Sequence, residues 1–316
     1  MMETRTMIAR ITSLAVRSYH ALRIVLLWGV IAWLAYRVIL GRSELEGLEI
    51  DLQPAPILLA LLSAVLAYQL QFLGWISLLR RIGLYRSLPS GTYARIWWIS
   101  FLYRYVPGKL MLVIERARRG VSAGIPYPVG ATLPVIETLV TVLAGGIISL
   151  LAISYYARHS LPLLFSIAAL ALIVILLVPA AFRALTRNHA LTQRFPELKS
   201  VDLASIDLLV LLGMYLVHFL LLGTSFFLIV RATIPVPWIE FPGICGVYAL
   251  SHVISILVIV APAGLGVREG ALAVQLQRLA PVGISEMLAI GTRLWFSVIE
   301  LSCLAVVVLC YRDRSR

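Results

Sequence analysis

The sequence contains little charge. Only 13% of its 316 residues are charged and 61% are hydrophobic, and the mean hydropathy is +0.95. A water-soluble domain carries about 25% charged residues, so the composition excludes a soluble globular protein. At about 20 apolar residues per crossing, the chain has room for roughly eight or nine spans. We expect an all-α polytopic membrane protein, with residues 1–316 forming a single membrane-embedded domain.

Residues suited to metal binding or nucleophilic catalysis are also scarce. The chain has four Asp, one Asn and three Cys, and the cysteines form no CxxC pair. No HExxH, GxSxG or P-loop motif occurs. We therefore expect no cofactor, no metal site and no catalytic residues. An intramembrane enzyme acting on a lipid phosphate is the alternative function, because Glu137, Glu269 and the histidines are capable of acid–base chemistry.

Long apolar runs predict six full membrane spans. Each run is long enough to cross about 30 Å of hydrocarbon, and they cover 21–40, 55–79, 128–154, 161–182, 203–230 and 285–310. The first run is too long for the ~7–15-residue core of a signal peptide, so we interpret it as a retained span.

The distribution of basic residues predicts the orientation. Of the 27 Lys and Arg residues, 19 fall in segments that are cytoplasmic if the N-terminus is inside, which agrees with the positive-inside rule. The net charge of +12 lies in short clusters between apolar runs, a pattern that indicates topology rather than binding of nucleic acid. We expect both termini to be cytoplasmic and the protein to be integral to the cytoplasmic (inner or plasma) membrane.

Two apolar regions, 92–114 and 243–280, are interrupted by proline, glycine and charged residues. Non-helical backbone at membrane depth is tolerated only inside protein or along a wet cavity, so we expect two broken or re-entrant helices. Two ordinary spans with polar loops are the alternative.

Landmarks of the two interrupted regions recur at nearly one spacing. Pro107 and Pro262 are 155 residues apart, Glu115 and Glu269 are 154 apart, and a Pro-Val-Gly triplet at 128–130 recurs at 281–283. This predicts an inverted repeat with halves at about 55–155 and 205–310, an organisation typical of secondary transporters.

The first interruption combines cations with the start of a helix. A helix that begins after Pro107-Gly108 would present unpaired N–H groups to a phosphate or carboxylate, and Arg104 could bind the same anion in a forked geometry. Positive-inside anchoring at lipid headgroups is the alternative role for these cations. The candidate substrate-binding residues here are Arg104, Pro107, Gly108, Lys109, Glu115 and Arg116.

The second interruption repeats this scheme with one cation and one acid. Arg268 and Glu269 are adjacent and point in different directions on a helix, so each should find a partner elsewhere. The candidate residues are Pro262, Gly264, Gly266, Arg268 and Glu269.

Three further candidates, Glu137, Arg293 and Glu300, lie within the long spans. An unpaired ion at the bilayer centre costs at least about 2.5–3.5 kcal/mol, so these side chains should face the protein interior or a cavity. We expect Glu137 and Arg293 to form an ion pair that joins the two repeats.

The motifs RYVPGK at Arg104–Lys109, PVIETLVTVLAGG around Glu137 and APAGLGVREG at 261–270 resemble the lysylphosphatidylglycerol synthase-type transmembrane region, also described as flippase-like. The resemblance spans about residues 20–310. In one member with both parts, this region flips an aminoacylated phospholipid and a separate soluble domain makes it. The chain resembles the transport half only, so the aminoacyl-transfer activity is not implied.

This resemblance implies functional roles for the matching positions. Arg104, Pro107, Gly108 and Lys109 match the first motif and Glu137 matches the acid of the following helix, while the second motif is matched by Pro262, Gly264, Gly266 and Glu269. Together with the charges at the breaks, it predicts a flippase-like lipid transporter whose partner is an anionic phospholipid or a polyprenyl-phosphate-linked lipid. A non-transporting accessory subunit of a lipid-modifying enzyme is a further alternative.

Overall fold

The computed structural model describes residues 36, 53–89, 91–105, 110–156, 193, 195–201, 203–258 and 264–311. Across these ranges all regular structure is helical and no strand occurs. The predicted spans at 21–40 and 161–182 lie outside the described residues, and so do Pro107, Gly108, Lys109 and Pro262.

Eight α-helices follow one another in the described part of the chain. They are α1 (Pro54–Arg81), α2 (Thr92–Leu102), α3 (Leu110–Val121), α4 (Tyr127–Tyr156), α5 (Ser205–Thr233), α6 (Phe241–Leu257), α7 (Val267–Leu276) and α8 (Val282–Cys310). Short 3-10 turns lie at Tyr103–Tyr105, Pro196–Ser200 and Trp238–Glu240. The all-helical architecture predicted from the sequence is confirmed.

Five helices are long and apolar enough to cross a membrane, which indicates a membrane-embedded protein. Four of them, α1, α4, α5 and α8, coincide with predicted spans. Helix α1 shows why they need an apolar solvent: Leu58, Leu62, Leu66 and Leu73 are exposed on its outer side. Contiguous exposed leucines are rare on water-soluble monomers and are expected where a helix faces lipid.

The fifth helix lies in a region that was expected to be interrupted. Together with the preceding 3-10 turn, α6 runs from Trp238 to Leu257, a length of 20 residues, or about 30 Å of helix. The corresponding helix of the first region, α2, has only 11 residues. The two interrupted regions therefore differ in the length of their first arm.

The second interruption ends where two glycines allow the chain to turn into α7. Gly264 and Gly266 have φ angles of +70° and +79°, which residues with a Cβ rarely adopt. The space at Gly264 is also filled, because a Cβ there would lie 2.4 Å from Cβ of Ser255 in α6. Helix α7 then begins at Val267 and brings Arg268 and Glu269 into its first turn.

Helices α1 and α5 pack against each other in antiparallel orientation. Ser63 donates a hydrogen bond to the Leu221 carbonyl at 2.9 Å, and Arg81 at the end of α1 forms a 2.9 Å ion pair with Asp207 at the start of α5. Without a hydrophobic driving force between helices in lipid, contacts of this kind hold membrane helices together.

Small residues bring α4 and α6 close together, also in antiparallel orientation. A Cβ on Gly246 would lie 2.3 Å from the backbone nitrogen of Ala152. At the end of this pair, Gly243 packs against Tyr156, the last residue of α4. A similar contact joins α2 and α8, because Gly91 at the start of α2 packs against Tyr311, just after α8.

The described helices form two groups with the same element order. Residues 54–156 and 205–310 each contain a long helix, two shorter helices flanking an interruption, and a second long helix. The corresponding long helices have similar lengths, 28 and 29 residues for α1 and α5 and 30 and 29 for α4 and α8.

Candidate functional site

Most of the predicted charged site residues are buried. Relative exposure is 9% or less for Glu115, Arg116, Glu137, Arg268, Glu269, Arg293 and Glu300. Apart from Glu115, these residues and the partly exposed Arg104 form two groups. Arg116 and Glu137 form a pair. The second group, which we call the central cluster, consists of Arg104, Arg268, Glu269, Arg293 and Glu300.

Glu300 on α8 is the best-satisfied member of the central cluster. Its carboxylate forms an ion pair with Arg104 and accepts hydrogen bonds from the hydroxyls of Tyr68 on α1 and Tyr105, the latter at 2.7 Å. Three donors on one buried carboxylate offset its loss of hydration. Glu300 thereby fixes Arg104 at the edge of the first interruption.

Arg104 keeps part of its hydrogen-bonding capacity unused. Its guanidinium lies 4.1 Å from the ring centroid of Phe101, and its Nη2 is 3.4 Å from the Tyr105 hydroxyl. The Nε is buried and has no hydrogen-bond partner. A buried unpaired donor is costly, so this nitrogen marks a position where an acceptor would be stabilised.

Glu269 links the second interruption to α8. One carboxylate oxygen accepts a 2.6 Å hydrogen bond from the backbone N–H of Gly266, and the other lies 3.5 Å from Nε of Arg293. A carboxylate in this position caps the N-terminus of α7. Since the Arg293 guanidinium also lies 5.4 Å from the Tyr105 ring, Arg293 connects the two interrupted regions.

Arg268 is a buried cation that forms no ion pair with a carboxylate of the described residues. Its side chain donates a hydrogen bond to the hydroxyl of Tyr248 on α6 and lies 4.7 Å and 5.8 Å from the ring centroids of Tyr248 and Phe296. Among the described residues, no carboxylate lies within ion-pairing distance of Arg268, although it is only 6% exposed.

His252 lies within range of these charges. Arg104, Arg268 and Arg293 all act electrostatically on its ring, which packs on Phe219 with a centroid distance of 5.4 Å. Its Nδ1 is buried without a hydrogen-bond partner. The orphaned histidine nitrogen and the three guanidiniums therefore share one neighbourhood between the interrupted helices.

The second group ties α3 to α4. Arg116 forms a buried ion pair with Glu137, and its Nε donates to Ser100 of α2 at 2.9 Å. The other oxygen of Glu137 accepts a 3.1 Å hydrogen bond from Tyr215 of α5. This pair is neutral overall and joins four helices.

The predicted ion pair between Glu137 and Arg293 is wrong. Glu137 pairs with Arg116 and Arg293 pairs with Glu269, so each half of the chain is linked within itself. The partners are 21 residues apart in the first half and 24 in the second, with the acid and the base exchanged. Arg116 pairs with Glu137 because it lies on the face of α3 that packs against α4. The positions of the apolar spans in the sequence do not reveal which face this is.

Glu115 points away from both groups. It accepts hydrogen bonds from Arg118 at 2.8 and 2.9 Å and from Arg119 at 2.7 Å, all within α3. The hydrogen bonds from Arg118, assisted by the charge of Arg119, lower the pKa of the Glu115 carboxyl. Its role as a substrate-binding residue remains a prediction, while its visible contacts stabilise α3.

Four tyrosines that the sequence did not single out hold the charged groups in place. Tyr68 and Tyr105 bind Glu300, Tyr215 binds Glu137, and Tyr248 binds Arg268. A tyrosine in an apolar span usually needs a partner for its hydroxyl. That requirement is the signal from which these residues could have been found.

A cavity of about 440 Å³ lies apart from the central cluster, between α4, α6 and α7, and Arg278 is part of its lining. Arg278 lies 4.9 Å from the ring centroid of Tyr156 and is exposed. It offers a comparison for the buried arginines. Within the part of the chain that the structure describes, no three His, Cys, Asp or Glu side chains are grouped as a metal site would require.

Comparison with family models and with curated proteins identifies no relative. No family model matches the chain, and no curated protein matches it with significant similarity. The interpretation of the site therefore depends on its own residues.

Proposed function

We propose that this protein is a flippase-like transporter that binds the anionic or phosphate headgroup of a lipid between its two interrupted helices and moves the lipid between leaflets. The observation that carries the proposal is Arg268, a buried guanidinium without a carboxylate partner among the described residues. A buried charge is normally paired. A lipid phosphate would supply the missing charge while its tails stay in the bilayer. The proposed role is transport rather than catalysis.

An inverted repeat provides the movement that this function needs. Helices α1 and α5 are the first long helices of the two groups, and they run antiparallel, as related helices of an inverted repeat must. The contacts of Gly243 with Tyr156 and of Gly91 with Tyr311 also correspond. Rocking of the two halves around a central site would expose the headgroup to each leaflet in turn.

The resemblance to the lysylphosphatidylglycerol synthase-type transmembrane region supports the same proposal. Its motifs include Arg104, Glu137 and Glu269, and all three side chains take part in ion pairs, those of Arg104 and Glu269 in the central cluster and that of Glu137 between α3 and α4. Partners of this transporter would be anionic phospholipids or polyprenyl-phosphate-linked lipids.

Transport should depend on Arg268. Replacing Arg268 by glutamine removes the uncompensated charge and keeps a hydrogen-bond donor near Tyr248. We expect at least about a tenfold loss of headgroup translocation in proteoliposomes, equivalent to about 1.4 kcal/mol of lost stabilisation. The measurement is the rate at which a fluorescent anionic phospholipid becomes accessible to an external quencher.

Arg278→Gln is the matched control, because Arg278 is exposed and lies in the separate cavity. It should translocate lipid at the rate of the unaltered protein. Equal rates for Arg268→Gln and Arg278→Gln, in protein that elutes as a single folded species, would contradict the proposal.

We also propose that both termini face the cytoplasm, with the protein in the cytoplasmic membrane. Cys310, at the end of α8, is exposed, whereas Cys245 is buried. With Cys245 and Cys303 replaced by alanine, an impermeant maleimide should label Cys310 only after the membrane is opened. A Gln277→Cys variant that also lacks Cys310 should be labelled in intact cells, since Gln277 follows α7 and precedes α8, on the opposite side in this orientation. The reverse pattern would overturn the orientation.

A further inference from the structure

We propose that the central cluster selects lipids whose headgroup is a phosphodiester with one negative charge, in preference to lipid diphosphates. This inference rests on the proposed function and specifies its substrate class. It follows from the balance of charges around Arg268.

The charges of the described side chains in the central cluster do not cancel. Its cations are Arg104, Arg268 and Arg293, and its acids are Glu269 and Glu300. The described side chains of the cluster therefore carry one excess positive charge. The other buried group adds nothing to this excess, because Arg116 and Glu137 neutralise each other.

The excess charge has a defined position. Glu300 is occupied by Arg104, Tyr68 and Tyr105, and Glu269 is shared between Arg293 and the Gly266 N–H. Within the described part of the chain, the Arg268 side chain contacts a hydroxyl and two aromatic rings, and it forms no ion pair with a carboxylate. An incoming anion would therefore be attracted to Arg268 without having to displace a carboxylate.

Unused hydrogen-bonding atoms lie near Arg268. Nε of Arg104 and Nδ1 of His252 are both buried and unpartnered, and both side chains are within electrostatic range of Arg268. A phosphate offers several acceptor oxygens, so one bound at Arg268 would have acceptors left for further donors of the cluster.

Charge balance then separates the two classes of headgroup. A phosphodiester carries a single negative charge, which equals the excess positive charge of the described side chains of the cluster. A lipid diphosphate carries roughly two or more negative charges by extension from phosphate monoesters, so binding it would leave a net negative charge at a buried site. Uncompensated charge is strongly unfavourable at low dielectric.

Native mass spectrometry of the full chain tests this inference. The probes share a dioleoylglycerol body: phosphatidylglycerol has one net charge, diacylglycerol pyrophosphate has a diphosphate, and phosphatidylcholine has a phosphodiester with no net charge. At equal concentrations, we expect phosphatidylglycerol to be retained at least about fivefold over each of the other two. A polyprenyl phosphoglycoside is also a phosphodiester and tests which tail the protein prefers. Displacement of phosphatidylglycerol by this lipid would indicate an isoprenoid substrate, and retention of phosphatidylglycerol would indicate a glycerolipid.

A change of the cluster charge should change the preference. Glu269→Gln keeps an acceptor for the Gly266 N–H and raises the excess charge by one, so the ratio of diphosphate to phosphodiester retained should rise about tenfold. Glu240→Gln is the matched control, because Glu240 also accepts hydrogen bonds from two tyrosines, Tyr155 and Tyr156, but lies outside the cluster. Its ratio should stay unchanged.

The outcomes distinguish this inference from the proposed function. Preferential retention of the diphosphate, lost in Arg268→Gln, would overturn the phosphodiester selectivity and leave the lipid site in place. Equal retention of all three probes, unchanged in Arg268→Gln, would remove the headgroup site itself and with it the proposed function. The comparison in the unaltered protein decides the selectivity even if Glu269→Gln does not fold.

Discussion

Replacing Arg116 by methionine should destabilise the protein more than any other single change in the two charged groups. The substitution leaves Glu137 buried without its ionic partner, although Tyr215 still donates a hydrogen bond to it, and breaking a buried ion pair on one side costs about 3–5 kcal/mol. It also removes the donor to Ser100. The measurement is the midpoint of thermal unfolding in detergent.

Two comparisons make this result specific to the buried charge. The double variant Arg116→Met/Glu137→Leu removes both ions and should recover most of the lost stability, because an apolar pair of similar volume can replace a buried ion pair. Arg118→Met removes an exposed arginine from the same helix and should unfold at nearly the temperature of the unaltered protein. A double variant as unstable as Arg116→Met would contradict this account.

Gly246→Ala should also be strongly destabilising. The added Cβ would lie 2.3 Å from the backbone nitrogen of Ala152 and 2.7 Å from its Cβ, so α4 and α6 would have to move apart. Overpacking of this kind costs about 1–3 kcal/mol, and more when the obstacle is backbone. Loss of the folded, monodisperse species at elevated temperature measures the effect.

Gly146→Ala is the control for the same helix pair. No atom lies within 4 Å of a Cβ at Gly146, so the change should be neutral or stabilising by up to about 1 kcal/mol through helix propensity. Similar losses of stability in Gly146→Ala and Gly246→Ala would show that close packing of α4 and α6 is unimportant.

The sequence was sufficient to predict the apolar helices. Hydropathy alone locates the spans at 55–79, 128–154, 203–230 and 285–310, because the requirement for backbone hydrogen bonding in lipid turns any long apolar run into a helix. It did not predict the length of α6, since the turn at Trp238–Glu240 adds residues before the apolar run that begins at 243.

The partners of the charged residues were harder to predict. Hydropathy gives the depth of Glu137 and Arg293 but not the helix face that each partner occupies. The partners Arg116 and Glu137 are 21 residues apart and Glu269 and Arg293 are 24 apart, with the acid and the base exchanged. Comparing the dipeptide at 115–116 with the one at 268–269 would have predicted both ion pairs. Aligning Glu115 with Glu269 as single acids concealed them.

All four cations of the two groups are arginines. A guanidinium stays protonated at every pH at which a protein remains folded, so these positive charges are permanent. Deprotonation of Arg268 therefore cannot release an anion that is bound to it. Release would require the guanidiniums to separate or a carboxylate to take the place of the anion. A movement of α7, which carries Arg268, relative to α8, which carries Arg293 and Glu300, would do either.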